Sequence, residues 1–446
     1  MLLGTFLSVY LISCKKDSSA PPPTDPDEPT AADKLKDSVL LYARDIYLWY
    51  NNIPQNFDAR SYDDPNEIME AIRPYSTEAG FTKPVDRWSF AVKQAEWDGV
   101  SSGISGDFGM GVFFLNNSDL RVSYVERESP AGKAGIRRGW RIKAINGSSN
   151  ITPSNANAIV AAVYQSSSSS FTFTKPAGGD VTLTLTAAGY KEHPIYLDSV
   201  YTSAGRKTGY LVFNSFLGDT TEIYNEFSRV FNRFSAAGVQ DVVIDLRYNG
   251  GGYVSVQNVL ANWLVPAAGN GGVMETQEYN DKYATFNETI KFKKKGSLNL
   301  SRLFVIVSQN TASASELLIN SLNPYMEVQL VGPSKTHGKP VGFFPIPVDD
   351  WYIFPVSFRT VNKNGDGNYF DGFALDQQVG DGLDKDWGDV NESCLGTVLS
   401  YINTGSFART ETVTQGITKS QNTLEVFSGN SELGAPKFKG AIGARH

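Results

Sequence analysis

The chain has 446 residues, of which 41% are hydrophobic and 12% aromatic. That is more than one ordinary core accommodates, so two or three compact units are expected and global disorder is excluded. A formal net charge of -7 leaves no surplus of positive charge to neutralise a phosphate backbone, which argues against nucleic acid as a partner.

Residues Met1 to Ser13 form an apolar run too short to span a bilayer and placed where an export signal sits. The run ends Leu11-Ile12-Ser13-Cys14, which resembles the lipobox of bacterial lipoproteins. The resemblance implies that, of the 1–14 signal, Met1 to Ser13 is removed and Cys14 is lipidated as the new N-terminus, with a location on the periplasmic or cell-surface side of a membrane. A free cysteine after a chance apolar stretch is the other reading, and no Lys or Arg precedes the run. With Cys14 lipidated, Cys394 has no partner for an intramolecular disulfide.

Residues 15–31, rich in Pro, Ser and Asp, lack periodic apolar positions and read as a tether. Leu35, Val39, Tyr42, Ile46 and Trp49 then recur at helical spacing before Pro54. With a second helical stretch at Glu67 to Ile72 and the aromatic run Trp88, Phe90 and Trp97, they define a helical unit over 32–105. Over 106–190 short alternating strands take over, at Val112-Phe113-Phe114, Leu120 to Val125 and Thr182 to Leu185, with the serine-rich Gln165 to Ser170 as an exposed loop. From 191 to 404 buried strands alternate with amphipathic helices, the pattern of an α/β core with parallel pairing. Its helix through Ile223, Phe227, Val230, Phe231 and Phe234 is expected to stop at a left-handed Gly238, with strands at Val242 to Leu246, Leu303 to Val307 and Val328 to Val331. Residues 405–446 are weakly patterned and read as a tail without assigned function.

The segment Ser129-Pro130-Ala131-Gly132-Lys133-Ala134-Gly135-Ile136, with Ile145-Asn146-Gly147 and the upstream Gly109-Met110-Gly111-Val112, resembles a PDZ domain. That implies a sheet edge at Gly109, Met110, Gly111 and Val112 that takes up an extended peptide. Trp140 departs from the family, which usually has an acidic residue there, and a β-rich spacer whose glycines only make turns is the plainer reading.

Three segments bear on chemistry. Asp241 to Gly252 is a buried strand ending in Asn249 and three glycines, whose backbone donors are exposed for lack of side chains. Ser308 to Tyr325 runs from a strand through small residues into a helix, with Ser313 at the junction, where unpaired N–H groups and the helix dipole favour an oxyanion. Ser313 to Glu316 also fits a capping box, which would make the serine a simple helix cap. The third segment, Val331 to Lys339, ends in Gly338-Lys339.

Taken in order, these segments resemble the S41 peptidases, the tail-specific or C-terminal processing proteases, over roughly Phe108 to Asp376. The resemblance implies an α/β catalytic core of the ClpP/crotonase-like type, polypeptide substrates, no cofactor or metal, Ser313 as nucleophile and Lys339 as general base. Gly251 and Ala314 would supply the oxyanion-hole amides. A lysine base must be neutral, so its reference pKa of about 10.4 has to fall by roughly three units, or about 4 kcal/mol. Pro340, Val341, Phe343 and Phe344 suit such desolvation. Phe343 stands where many relatives carry a glutamine that orients the lysine, and the Ser313 to Lys339 spacing is one residue longer than the family's. The competing reading is therefore a peptide-binding lipoprotein scaffold of little or no turnover. His337 is the alternative base; His193 and His446 complete the histidines. Asn364, Asp366 and Asn368 alternate like calcium ligands, but Tyr369 and Leu375 break the pattern and a turn is expected. Asp381, Asp384, Asp386 and Asp389 are expected to form a solvated acidic face.

Overall fold

A computed structural model describes residues 28–407 and 440–442. The export signal, Cys14, most of the tether and the greater part of the tail lie outside them. Helix α1 (Ala31–Ile46) begins at Thr30, whose Oγ1 accepts from Asp33 N–H at 3.1 Å while the Asp33 carboxylate accepts from Thr30 N–H at 2.9 Å. This reciprocal cap sits at the border of the Pro-rich tether and fixes where folding starts. The helix stops at Ile46, so Trp49 follows it in a short turn. Helix α2 (Pro65–Ile72) packs beside α1 against the three-stranded sheet of Phe90–Lys93, Trp351–Phe354 and Ile346–Val348. The helical unit thus shares a core with the last third of the chain: Val39 and Ile68 lie in one apolar cluster with Leu317, Phe343 and Phe358.

A five-stranded antiparallel sheet follows, β1 (Met110–Asn116), β2 (Asp119–Val125), β3 (Arg141–Ile145), β4 (Ser168–Thr174) and β5 (Asp180–Thr186), in sequence order. Helix α3 (Ala156–Val160), extended by one wider turn to Gln165, covers it. The serine run is mostly strand: Ser168 to Ser170 already pair with Thr184 to Thr186.

The main sheet contains β6 (Ile195–Ser203), β7 (Arg206–Phe213), β8 (Asp241–Asp245), β12 (Arg302–Ile306), β13 (Glu327–Gly332) and β16 (Gln377–Gln378). Between β8 and β12 the chain forms β9 (Gly251–Tyr253), β10 (Val273–Tyr279) and β11 (Glu288–Lys291), and between β13 and β16 it forms β14 (Val341–Phe343) and β15 (Phe358–Val361). The main order is β16-β13-β12-β8-β7-β6, parallel except for β6. Helix α4 (Thr220–Ala237) lays Phe227, Phe231 and Phe234 on one face of it and ends at Gly238, φ 71°, where the missing Cβ permits the left-handed turn. Helices α5 (Val254–Leu264) and α6 (Ala314–Leu322) pack with α4 in that layer, and α7 (Ser393–Thr404) closes the other face. A second mixed sheet runs β9-β17-β14-β15-β10-β11, in which β17 is Gly440–Ile442.

Candidate active site

Strand β12 delivers the chain to a turn over Ser308 to Ser313, and hydrogen bonds lace this turn to the one after β8. Thr311 Oγ1 donates to Leu246 O (2.8 Å), and Ala312 N–H and Ser315 Oγ both donate to Asn249 O (3.1 Å each). Ser313 is the residue before α6, 1% exposed, with φ 58° and ψ -112°. A side chain in that region costs on the order of 1–3 kcal/mol, which the surrounding bonds must hold in place. Ser313 and Glu316 have the reciprocal arrangement of the expected capping box, in which Glu316 accepts from Ser313 N–H at 2.9 Å, while Ser313 Oγ itself makes no close hydrogen bond.

Glu316 is fully buried and takes four donors. Its Oε2 accepts from the N–H groups of Ser313 (2.9 Å) and Lys339 (2.8 Å), and its Oε1 from Thr336 Oγ1 and Gly338 N–H (2.6 Å each). One carboxylate oxygen thus ties the backbone of residue 313 to that of residue 339. Burial raises the Glu316 pKa, and the four donors oppose that rise. Gly338 has φ 94°, and a Cβ there would lie 2.2 Å from Phe370 O, so only glycine lets the loop close onto the carboxylate.

Lys339 is 1% exposed, with Nζ 3.7 Å from the Phe343 ring centroid and 5.6 Å from that of Trp88. Burial holds its pKa well below the usual lysine value, against the opposing charges of Asp86 and Glu316. The magnitudes agree with that direction: a ring face is worth about 2 kcal/mol to a desolvated ammonium, whereas taking such an ion out of water costs several kcal/mol. Phe343, the departure noted in the sequence, packs edge-on with Phe90 and Phe354 and gives the amine an apolar floor. Asp86 and Trp88 come from the helical unit. The Asp86 carboxylate accepts from Tyr47 Oη (2.8 Å), Ser89 Oγ (2.6 Å) and Trp88 N–H (2.8 Å), which fixes the indole. Sequence reading did not find these two; Asp-Arg-Trp-Ser is an Asx-turn pattern, and nothing local links it to residue 339.

His337 Nε2 accepts from Trp88 Nε1 at 3.0 Å. Of the two candidate oxyanion amides, Ala314 opens α6, where helical bonding leaves N–H groups without helical acceptors. Gly251 N–H donates to Asn249 Oδ1 at 2.9 Å. His193 lies between Glu128 and Glu222 at 2.9 and 2.7 Å.

The stretch Gly109 to Val112 enters β1, an edge strand whose outer side faces α3's extension, where Val112 N–H donates to Tyr164 Oη at 3.0 Å. Asn364 and Asp366 belong to a turn in which both N–H groups donate to Asn362 Oδ1 (2.9 and 3.0 Å). The expected solvated acidic face needs correction. Asp384 is exposed, but Asp381 is buried, 2.6 Å from Arg138 and 2.8 Å from Arg247. It faces inward because two cations from separate parts of the chain, residues 138 and 247, meet there, which spacing within 381–389 cannot reveal.

Two family models match, the peptidase family S41 over residues 207–378 and the peptidase S41 N-terminal domain over residues 34–90. A "Probable CtpA-like serine protease" of Staphylococcus aureus is 28% identical over 261 residues, which is 57% of this chain and 49% of that protein. Its namesake in Staphylococcus saprophyticus is 25% identical over 301 residues, 66% of this chain and 57% of that protein. The chain spans about half the length of the curated relatives it matches. A solved Bacteroides fragilis chain described as an S41 protease superposes with a TM-score of 0.66 at 25% identity, covering 83% of this chain and 97% of that one. The two family models fall on the helical unit and on the core that carries Ser313 and Lys339, and the chain belongs to the S41 peptidase family.

Proposed function

We propose that the protein is an exported, lipid-anchored serine endopeptidase in which Ser313 attacks the scissile carbonyl and Lys339 takes and returns the proton. The observation that carries this reading is the shared Glu316 oxygen, which holds the backbones of residues 313 and 339 together beside a lysine amine seated on apolar rings. A neutral amine in that setting can accept the Ser313 proton, and the acyl-enzyme is then released by water. Catalytic hydrogen bonds are commonly long before substrate arrives, so an unpartnered Ser313 Oγ is compatible with a base that closes on it. The oxyanion would rest on the Ala314 and Gly251 amides, replacing Asn249 Oδ1 as the acceptor of the second. The β-rich module is read as PDZ-like, offering the edge at Gly109, Met110, Gly111 and Val112 to a polypeptide, on a core of the ClpP/crotonase-like type. Lipidation of Cys14 would hold the enzyme at the periplasmic or cell-surface face of a membrane.

Gly251's occupied amide favours a second reading, a peptide-binding scaffold without turnover. Hydrolysis of an unfolded protein separates the two. Ser313→Ala and Lys339→Ala are expected to lower kcat/KM on the order of 10⁴-fold. His337→Ala, by contrast, keeps turnover. Turnover that survives both substitutions, or none at any pH in the unaltered chain, would end the endopeptidase reading.

A further inference from the structure

Two short strands of the second sheet leave directly from the site. Strand β9 starts at Gly251, at the turn whose Asn249 O holds Ala312 and Ser315, and β14 starts two residues beyond Lys339. They do not pair with each other. Strand β17 lies between them and runs parallel to both, with Gly251, Gly252 and Tyr253 opposite Gly440, Ala441 and Ile442, and Gly342 and Phe343 opposite Ala441 and Ile442. Apart from β17, among the described residues β9 has only the Gly252 bridge to Phe216, while β14 keeps β15 on its far side. The two facing edges are thus one strand apart, about 10 Å at the usual spacing. Gly252 lets β9 lie close against Phe216, since a Cβ there would lie 2.4 Å from the Phe216 carbonyl carbon.

We propose that this slot receives an extended polypeptide, running in the same direction as β9 and β14, by backbone pairing on both edges, and that residues 440–442 occupy it in cis as a competing strand. The occupant suits exchange. Three residues give only a handful of backbone bonds, set against the conformational entropy lost in ordering the chain, so its hold is close to balance. Pairing through the main chain tolerates many sequences. Covalent attachment makes the occupant effective nonetheless, because a tethered strand acts at an effective concentration of order millimolar. The inference rests on the endopeptidase reading only in naming substrate as the competitor.

The test uses a fluorescent peptide of sequence Lys437 to His446 and the full chain carrying Ser313→Ala, so that binding is read without cleavage. In a strand flanked on both sides each N–H donates to one neighbour, so Ala441→Pro removes a ladder bond; Gly440→Pro is the second variant. Either change should tighten peptide binding at least tenfold by anisotropy, and with Ser313 intact should lower KM for an unfolded protein. Unchanged peptide affinity in both variants overturns the proposal. So does a melting temperature that falls together with peptide binding, which would make β17 a structural strand. Tighter binding with no hydrolysis in any chain leaves the slot standing and removes the endopeptidase reading instead.

Discussion

The turn at residues 247–251 joins two buried ionic clusters built on opposite terms. On one side Arg247 donates to Asp245 (2.7 Å), Asp381 (2.8 Å) and Glu392 (2.8 Å), and Arg138 reaches in from the β-rich module to Asp381 (2.6 Å), with both guanidinium groups facing Trp387. Each cation there has carboxylates within direct reach, and those cations hold the Asp381 carboxyl down at about 2. On the other side the two carboxylates that influence Lys339 accept from backbone and hydroxyl donors, while its amine lies over an aromatic face. Matched charges make a rigid joint between module and core; burial over aromatic rings pushes Lys339 toward the neutral form that proton transfer requires.

The comparison breaks most visibly at Arg247. Arg247→Met strands Asp245, Asp381 and Glu392 in the interior and is expected to cost about 3–5 kcal/mol, read as a lower denaturant midpoint. The pH dependence follows from Asp381: its folded pKa lies below its ordinary 3.8, so its stabilising contribution is complete above that value and lost as pH falls toward 2. If Arg247→Met lowered kcat while leaving the midpoint unmoved, the two clusters would not divide into stability and chemistry as argued.

Glu316→Gln sharpens the other half. An amide offers one oxygen to four donors and turns its NH₂ toward two of them, so the 313 and 339 backbones lose their common anchor. A fall in kcat of about 100-fold with KM little changed is expected for a positioning group. Removing the Glu316 charge also removes an attraction that supports the ammonium, so the acid limb of kcat/KM should move to lower pH. A merely structural role would lower the melting temperature without moving that limb.

The acid limb itself comes third. Because the neutral amine is the active form, kcat/KM should fall about tenfold per pH unit below the lowered Lys339 pKa, and His337→Ala should leave the limb in place. By linkage, stability rises with pH between that pKa and the unfolded value of about 10.4, since the unfolded chain binds the extra proton. Loss of the limb in His337→Ala would transfer the base role to the imidazole.

How much of this was legible follows from sequence distance. Helix α4 and its Gly238 stop, strand β8, and Ser313 at a strand-to-helix junction are written in local periodicity and turn chemistry, and the structure has elements there. The apolar run after Lys339 indicates its burial. The contacts that define its surroundings do not show locally: Trp88 is some 250 positions away, Arg138 meets Asp381 across a similar stretch of the chain, and β17 is three residues without alternation. Phe343 reads as a lost hydrogen bond, and only packing shows that the ring lies under the amine. Glu316 reads as a cap because the same two residues satisfy a capping box, and its bonds to residues 336–339 need the fold.

The smallest effect concerns the module edge, where polar satisfaction works against binding. Tyr164 Oη holds the Val112 N–H that an added strand would use. Tyr164→Phe keeps the ring and removes the acceptor, so that amide becomes open to a peptide carbonyl. One hydrogen bond nets about 0.5–1.5 kcal/mol, so affinity for an extended peptide should rise by roughly two- to tenfold by anisotropy, at a similar cost in stability. Because Tyr164 lies in the turn that extends α3 over the module's own sheet, kcat should hold while KM falls. Unchanged affinity would mean that polypeptide does not dock on β1, and would leave Arg138 joining the core to a module that only spaces it.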